Sequence, residues 1–271
     1  MSKELNRLND FFFKFLIGNE QNKNIALNFI NAVLGTEESY FTDIIYLDKD
    51  EDPETIDSKQ TRLDVKGRLN DGTIIELEMQ ALSDSNMSER SLYYWARMYG
   101  RLLKSGEDYK ELKPAVSVII LGFEHLKDEV NWYNEYQLLN IESKKALTKD
   151  LRIIFLELPK LQLENKAKPD KLELWGAYFG RKLEDSVLKG DKDMASVLEA
   201  EFAFTADDVR EWRYEQREKF LHDQASRDGA LARADAALKE KLEENAQLKE
   251  DIKEQEARIK ENDARIKEQE A

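Results

Sequence analysis

The chain contains no cysteine. Disulfides, thiolate-bound metals and a cysteine nucleophile are therefore excluded. Histidine is almost absent, with only His125 and His222 in 271 residues. Two imidazoles are too few for a His-based zinc cluster, and no Ser–His pairing can be read from their positions. No apolar run reaches the ~18 residues of a membrane span, so none is expected. The opening MSKELNRLND lacks the apolar core of a signal peptide, which makes a cytosolic protein the default expectation. A G-x-x-x-x-G-K-[ST] phosphate loop and a dinucleotide fingerprint are both missing, which removes ATP-driven transposition, hydride transfer and any nucleotide cofactor. Basic charge is also in deficit: 42 Lys and Arg stand against 56 Asp and Glu, a net charge of −14. Nucleic-acid binders usually carry a basic footprint, so any DNA contact here must rest on a local field and fall steeply with salt.

What is present suffices for one sizeable core plus an appendage, with 41% hydrophobic and 36% charged residues. The most informative stretch is RLDVKGRLNDGTIIELEMQ, Arg62 to Gln80. From Thr73 onward it alternates, so Ile75, Leu77 and Met79 share one face and Ile74, Glu76, Glu78 and Gln80 the other. Asn70-Asp71-Gly72 reads as a three-residue hairpin loop with Gly72 in the left-handed position. That loop sets Leu69 opposite Thr73, Lys66 opposite Glu76, Asp64 opposite Glu78 and Arg62 opposite Gln80. Asp64 and Glu78 then lie about 5 Å apart at Cβ. Two carboxylates so close repel unless a proton or cation separates them, and oxygen donors suit Mg²⁺ or Mn²⁺. A two-residue loop on Asp71-Gly72 would slip the register and turn Asp64 to the other face.

Around the hairpin the pattern is α/β. Residues 7–35 have helical periodicity, broken at Gly18-Asn19 and stopped at Gly35, and 41–47 read as a strand. Ser88 to Lys104 reads as a helix capped by Ser88. Leu92, Trp95, Ala96, Tyr99 and Leu103 supply its apolar side, and Tyr93 and Tyr94 are also assigned mostly to the core. Arg90, Arg97, Arg101 and Lys104 fall near a second side of it, as phosphate contacts or as a solvated face. Ala115–Phe123 and Leu151–Leu158 read as buried strands, and 170–203 and 207–225 as helices. The last forty residues repeat with a period of seven, for which Ile252, Ile259 and Ile266 set the phase. Only one of the two seam positions of a coiled coil is apolar, so the tail is expected to be a solvated helix with at most a weak homo-oligomer contact. The expected organisation is a core over 1–165, a helical extension over 166–228 and a charged tail over 229–271.

The spacing of Asp64 and Glu78-Met79-Gln80 resembles the PD-(D/E)XK nucleases, with Gln80 where most of them have Lys. Asp10-Phe11-Phe12-Phe13-Lys14, Arg62-Leu63-Asp64-Val65, Glu89-Arg90-Ser91-Leu92-Tyr93-Tyr94-Trp95, Leu112-Lys113-Pro114 and Leu172-Glu173-Leu174-Trp175 follow in the order of one branch. Over roughly 7–225 the chain is similar to the recombination-promoting nuclease/transposase family, whose own motif has Gln at this position. The resemblance implies a restriction-endonuclease-like mixed sheet flanked by helices, with a helical C-terminal extension and tail. It also implies a Mg²⁺-dependent DNA endonuclease (Mn²⁺ being the alternative ion). Asp64, Glu78 and the main-chain carbonyl of Met79 would be metal ligands. Gln80 and Lys66 would position water and phosphate, and Arg90, Arg97, Arg101 and Lys104 would hold the DNA backbone. Asp10 has two readings: an N-cap of the first helix, or a further acid at the site. Glu76 is either the partner of Lys66 or a second ligand. A contrasting reading keeps Asp64 and Glu78 as ordinary polar positions and makes the chain a non-catalytic interaction module with an acidic surface.

Overall fold

The turn at Asn70-Asp71-Gly72 decides the architecture, because it sets which face of the sheet every hairpin residue occupies. In the computed structural model, which describes residues 5–37, 40–47, 64–164, 166 and 168–269, this turn closes as the sequence predicts. The Leu69 amide donates to the Thr73 carbonyl at 2.9 Å, Asp71 Oδ1 accepts from the Thr73 amide at 2.8 Å, and Gly72 takes φ +92°. Strand β2 (Val65–Leu69) therefore pairs antiparallel with β3 (Ile74–Gln80), with Val65 opposite Leu77 and Lys66 opposite Glu76. Arg62 and its pairing with Gln80 lie outside the described residues.

The hairpin is the first half of a six-stranded mixed sheet of order β1-β2-β3-β4-β6-β5. Strand β1 (Ile44–Tyr46) edges β2, where Gly67 lets the Ile44 side chain lie over the backbone; a Cβ there would meet Ile44 Cδ1 at 2.4 Å. Strand β4 (Ala115–Leu121) runs parallel to β3 and to β6 (Leu151–Glu157), so it is buried along its whole length and reads as a continuous apolar run. The outer strand β5 (Tyr133–Tyr136) pairs antiparallel with β6 and was not legible in the sequence. Its Glu135 carboxylate is bound by Arg152 at 2.7 Å and by the Tyr133 hydroxyl at 2.7 Å. Burial pushes Glu135 upward, but these donors overcome it and bring its pKa down to about 2.

Helices cover both faces. On one face α1 (Asp10–Ile17), α2 (Lys23–Leu34), α4 (Lys171–Phe179) and α6 (Lys192–Thr205) enclose the main core with Ile75, Leu77, Met79, Val116, Val118, Ile120 and Ile154. Phe12 and Phe13 are fully buried there, as expected of core residues. On the other face a single helix, α3 (Met87–Gly100), packs Met87 and Trp95 against Ile119, Leu121, Ile153 and Phe155. The Trp95 indole N–H donates to the Ala115 carbonyl at 2.7 Å, and Tyr99 stacks on the Trp95 ring. This is the restriction-endonuclease-like α/β arrangement that the resemblance implies.

The connection from α4 passes through the short α5 (Asp185–Leu188). Buried Arg7 bridges it to α6, donating to Asp185 at 2.7 Å and to Glu201 at 2.9 Å, with its guanidinium 4.1 Å from the centre of the Tyr178 ring. The last helix, α7, covers Asp208–Gln269. Two compact units are distinguished, Met1–Glu218 and Lys219–Ala271. In the first unit the start of α7 contributes buried Tyr214, whose hydroxyl accepts the Asn6 amide at 2.7 Å, while Trp212 stays exposed. In the second unit Leu231, Leu238, Leu248 and Ile252 are each more than half exposed. No described helix is long and apolar enough to cross a membrane.

Candidate functional site

The site lies on the α3 face of the hairpin. Alternation sends Ile75, Leu77 and Met79 into the main core, so Glu76, Glu78 and Gln80 face α3. The pairing ends at Val65–Leu77, and the same register continued one residue would set half-buried Asp64, just before β2, across from Glu78. Glu78 thus faces α3 at the end where β3 and β4 finish, and Asp64 immediately precedes β2 at that end.

Lys66 lies on the Asp64 side of the strand, but its ammonium is bound to Glu76 at 3.1 Å. Ser117 donates to the other Glu76 oxygen at 3.4 Å. Of the two readings of Glu76, the geometry gives the ion pair with Lys66. The Gln80 amide N–H donates to the Leu82 carbonyl at 3.1 Å, at the end of the strand.

Arg90 is placed differently from a phosphate contact on an open helix face. Its two Nη groups are ion-paired, one with Glu78 and one with Asp84, and its side chain is only 13% exposed. The reason is where α3 begins: Asn86 precedes it and Met87 opens it, so Arg90 stands in its first turn directly over β3. Ser88 consequently lies inside the helix and does not cap it. Its hydroxyl instead lies 2.8 Å from His125 Nε2, a Ser–His contact between residues 37 apart in sequence that the reading of scattered histidines did not anticipate.

Arg97 is half-buried and Arg101 exposed at the helix end. Lys104 lies beyond the helix, because α3 ends at Gly100 and the chain tightens there, with Leu102 N–H bonding the Tyr99 carbonyl at 3.1 Å. It therefore does not extend the helical row. Tyr93 and Tyr94 are 60% and 36% exposed and are not core residues. Their place follows from α3 packing on the sheet by the single arc of Met87, Ser91 and Trp95.

Asp10 is not the N-cap; Asn9 is, its side chain accepting from the Phe11 and Phe12 amides. Asp10 occupies the first turn, and Arg217 grips its carboxylate, with Nε at 2.7 Å. The segment before α1 crosses the ends of β3 and β4, where a Cβ on Gly122 would meet Leu8 Cδ1 at 2.8 Å. Asp10 is thus near the same end of the sheet, already ion-paired.

Residues 7–228 match a family model, the PD-(D/E)XK nuclease family transposases. The chain belongs to this family. No curated protein and no solved structure matches it. Membership in the PD-(D/E)XK nuclease family transposases gives the chain nuclease or transposase-related chemistry, which in such nucleases generally employs divalent metal.

The donor set fits that requirement. Among the described residues no three His, Asp or Glu side chains converge as a ready-made cage. A hard ion such as Mg²⁺ does not need one, since it keeps several waters and binds through one or two carboxylates. Asp64 and Glu78 are the two carboxylates of this hairpin that could hold one. Asp84 is the site residue that sequence reasoning missed. It stands in a loop and meets Arg90 six residues later, a spacing that no helical or strand period marks. A second missed carboxylate is fully buried Glu157. It accepts the His125 and Leu126 amides at 2.5 and 3.0 Å and Lys160 Nζ at 2.8 Å, and so fixes the loop that carries His125.

Proposed function

We propose that the chain is a metal-dependent DNA endonuclease that hydrolyses phosphodiester bonds and so promotes recombination. The observation that supports this reading is the register of the β2–β3 hairpin, which, continued one residue beyond Val65–Leu77, would set Asp64 across from Glu78 on the α3 face of the sheet. Asp64, Glu78 and the main-chain carbonyl of Met79 would hold Mg²⁺ or Mn²⁺. The bound metal lowers the pKa of a water and polarises the phosphoryl oxygen.

The protein's own groups do the rest. Glu78 is fixed by Arg90, and Gln80 and Lys66 flank the acidic pair. Asp10, held by Arg217 at the same sheet end, is a supporting acid rather than a primary ligand. Arg97, Arg101 and Lys104 are assigned to the DNA backbone, contacts that position a duplex without reading its sequence. With a net charge of −14, DNA affinity is expected to fall steeply with added salt.

Nicking of supercoiled plasmid tests the reading. The wild type should nick in Mg²⁺ or Mn²⁺ and be silent in chelator; no cleavage by folded protein in either metal would refute it. Lys66→Met divides two roles for that lysine. Its ammonium is bound to Glu76, so cleavage is expected to fall by less than about tenfold, roughly 1.4 kcal/mol. A loss of a hundredfold or more would make Lys66 the essential cation.

A non-catalytic interaction module is the second reading. It is favoured by Gln80, a side chain that carries no charge and whose amide is turned to Leu82.

A further inference from the structure

Arg90 carries a role that goes beyond contact with DNA. Its guanidinium joins Glu78 on β3 to Asp84 in the loop before α3. Asp84 is itself fixed, its Oδ1 accepting the Asn86 amide at 2.9 Å. The remaining donor, Arg90 Nε, is buried without a hydrogen-bond partner. An arginine placed only to brace a loop would be expected to satisfy that donor, because a buried unmet N–H is costly. This guanidinium is oriented instead to present both Nη groups to carboxylates. One of those Nη groups lies on the Glu78 carboxylate, and both side chains are only 13% exposed.

We propose that Arg90 is a positioning residue of the metal site: it pins the Glu78 carboxylate and balances the Glu78–Asp84 charge before metal binds. The proposal rests on the metal-site reading above. It has two consequences of opposite sign. A fixed positive charge beside the ligands weakens their attraction for a divalent cation. The same contact holds Glu78 in one orientation, and a misplaced ligand slows the chemical step. Removing the charge while keeping the shape therefore tightens metal binding and slows cleavage.

The test titrates metal-stripped full-length protein with Mn²⁺ in a calorimeter and measures plasmid cleavage at saturating Mn²⁺, for the wild type, Arg90→Gln and Arg90→Lys. Arg90→Gln is expected to bind Mn²⁺ on the order of tenfold tighter and to cleave on the order of a hundredfold more slowly. Arg90→Lys keeps the charge, so its Mn²⁺ affinity should stay within about threefold of wild type. A merely structural role would lower both quantities or neither. Unchanged or weaker Mn²⁺ binding by folded Arg90→Gln overturns the proposal and leaves the metal site standing. If Arg90→Gln does not fold, Arg90→Lys decides, and a tenfold change in its Mn²⁺ affinity overturns the proposal. Absence of Mn²⁺ binding by the wild type overturns the metal site itself, and this role with it.

Discussion

Asp64→Asn and Glu78→Gln should each lower plasmid nicking by about a thousandfold or more, a barrier increase of about 4 kcal/mol. Both substitutions keep side-chain shape and remove one negative charge. Asp64 is half-buried just before β2 and outside the main core, so Asp64→Asn should melt within a few degrees of wild type. Glu78→Gln replaces a charge-assisted contact to Arg90 by a neutral one and should be the less stable of the two. Loss of activity in both variants with folding intact supports the shared metal. Nicking that survives both would place the chemistry elsewhere, and the exposed Ser88–His125 contact would then be the first place to look.

The second large effect concerns stability. Trp175 is 1% exposed at the centre of the main core, stacked on Phe179 at 5.6 Å, edge-on to Phe29 at 5.1 Å, and bonded through its indole N–H to Asn28 Oδ1 at 2.8 Å. It joins α4 to α2 and so holds together the helical layer that backs the site-bearing sheet. Trp175→Ala leaves a large cavity and removes the indole donor from Asn28 Oδ1, at a cost of about 3–5 kcal/mol. For a unit of this size that is a fall on the order of 10 °C in melting temperature. Calorimetry or denaturant unfolding measures it directly. A loss below about 1.5 kcal/mol would mean that the surrounding aromatic rings collapse into the space.

The hairpin was legible because three local signals agree: strict alternation, a three-residue turn, and a glycine where φ must be positive. Gly72 at +92° and the Lys66–Glu76 pairing follow from those signals alone. The parallel strands β4 and β6 were legible as apolar runs for a related reason, since burial on both faces leaves no polar alternation to confuse the pattern.

What escaped the sequence depends on distance along the chain or on exposure. Strand β5 is polar and marginal, with only Asn134 buried, so its Tyr-Asn-Glu-Tyr shows no apolar face. Tyr93 and Tyr94 were assigned to a core by residue type, but α3 packs on the sheet by one arc and leaves them outside. The Glu78–Arg90–Asp84 bridge joins a strand, a helix and a loop, and no periodicity reports such a junction. Asp10 was correctly seen at the head of α1, but its Arg217 partner is 207 residues away and invisible to local reasoning.

Asp64 and Glu78 are proposed to bind a divalent metal together in the folded state. The most direct test is the melting temperature of the metal-stripped protein with and without Mg²⁺, for wild type and for the Asp64→Asn/Glu78→Gln double variant. Binding to the folded state at about a hundredfold excess over Kd stabilises by about 2.7 kcal/mol, so the wild-type midpoint should rise by about 5 °C or more, while the double variant should not respond. A flat wild-type response at millimolar Mg²⁺, or an equal rise in the double variant, would contradict the account.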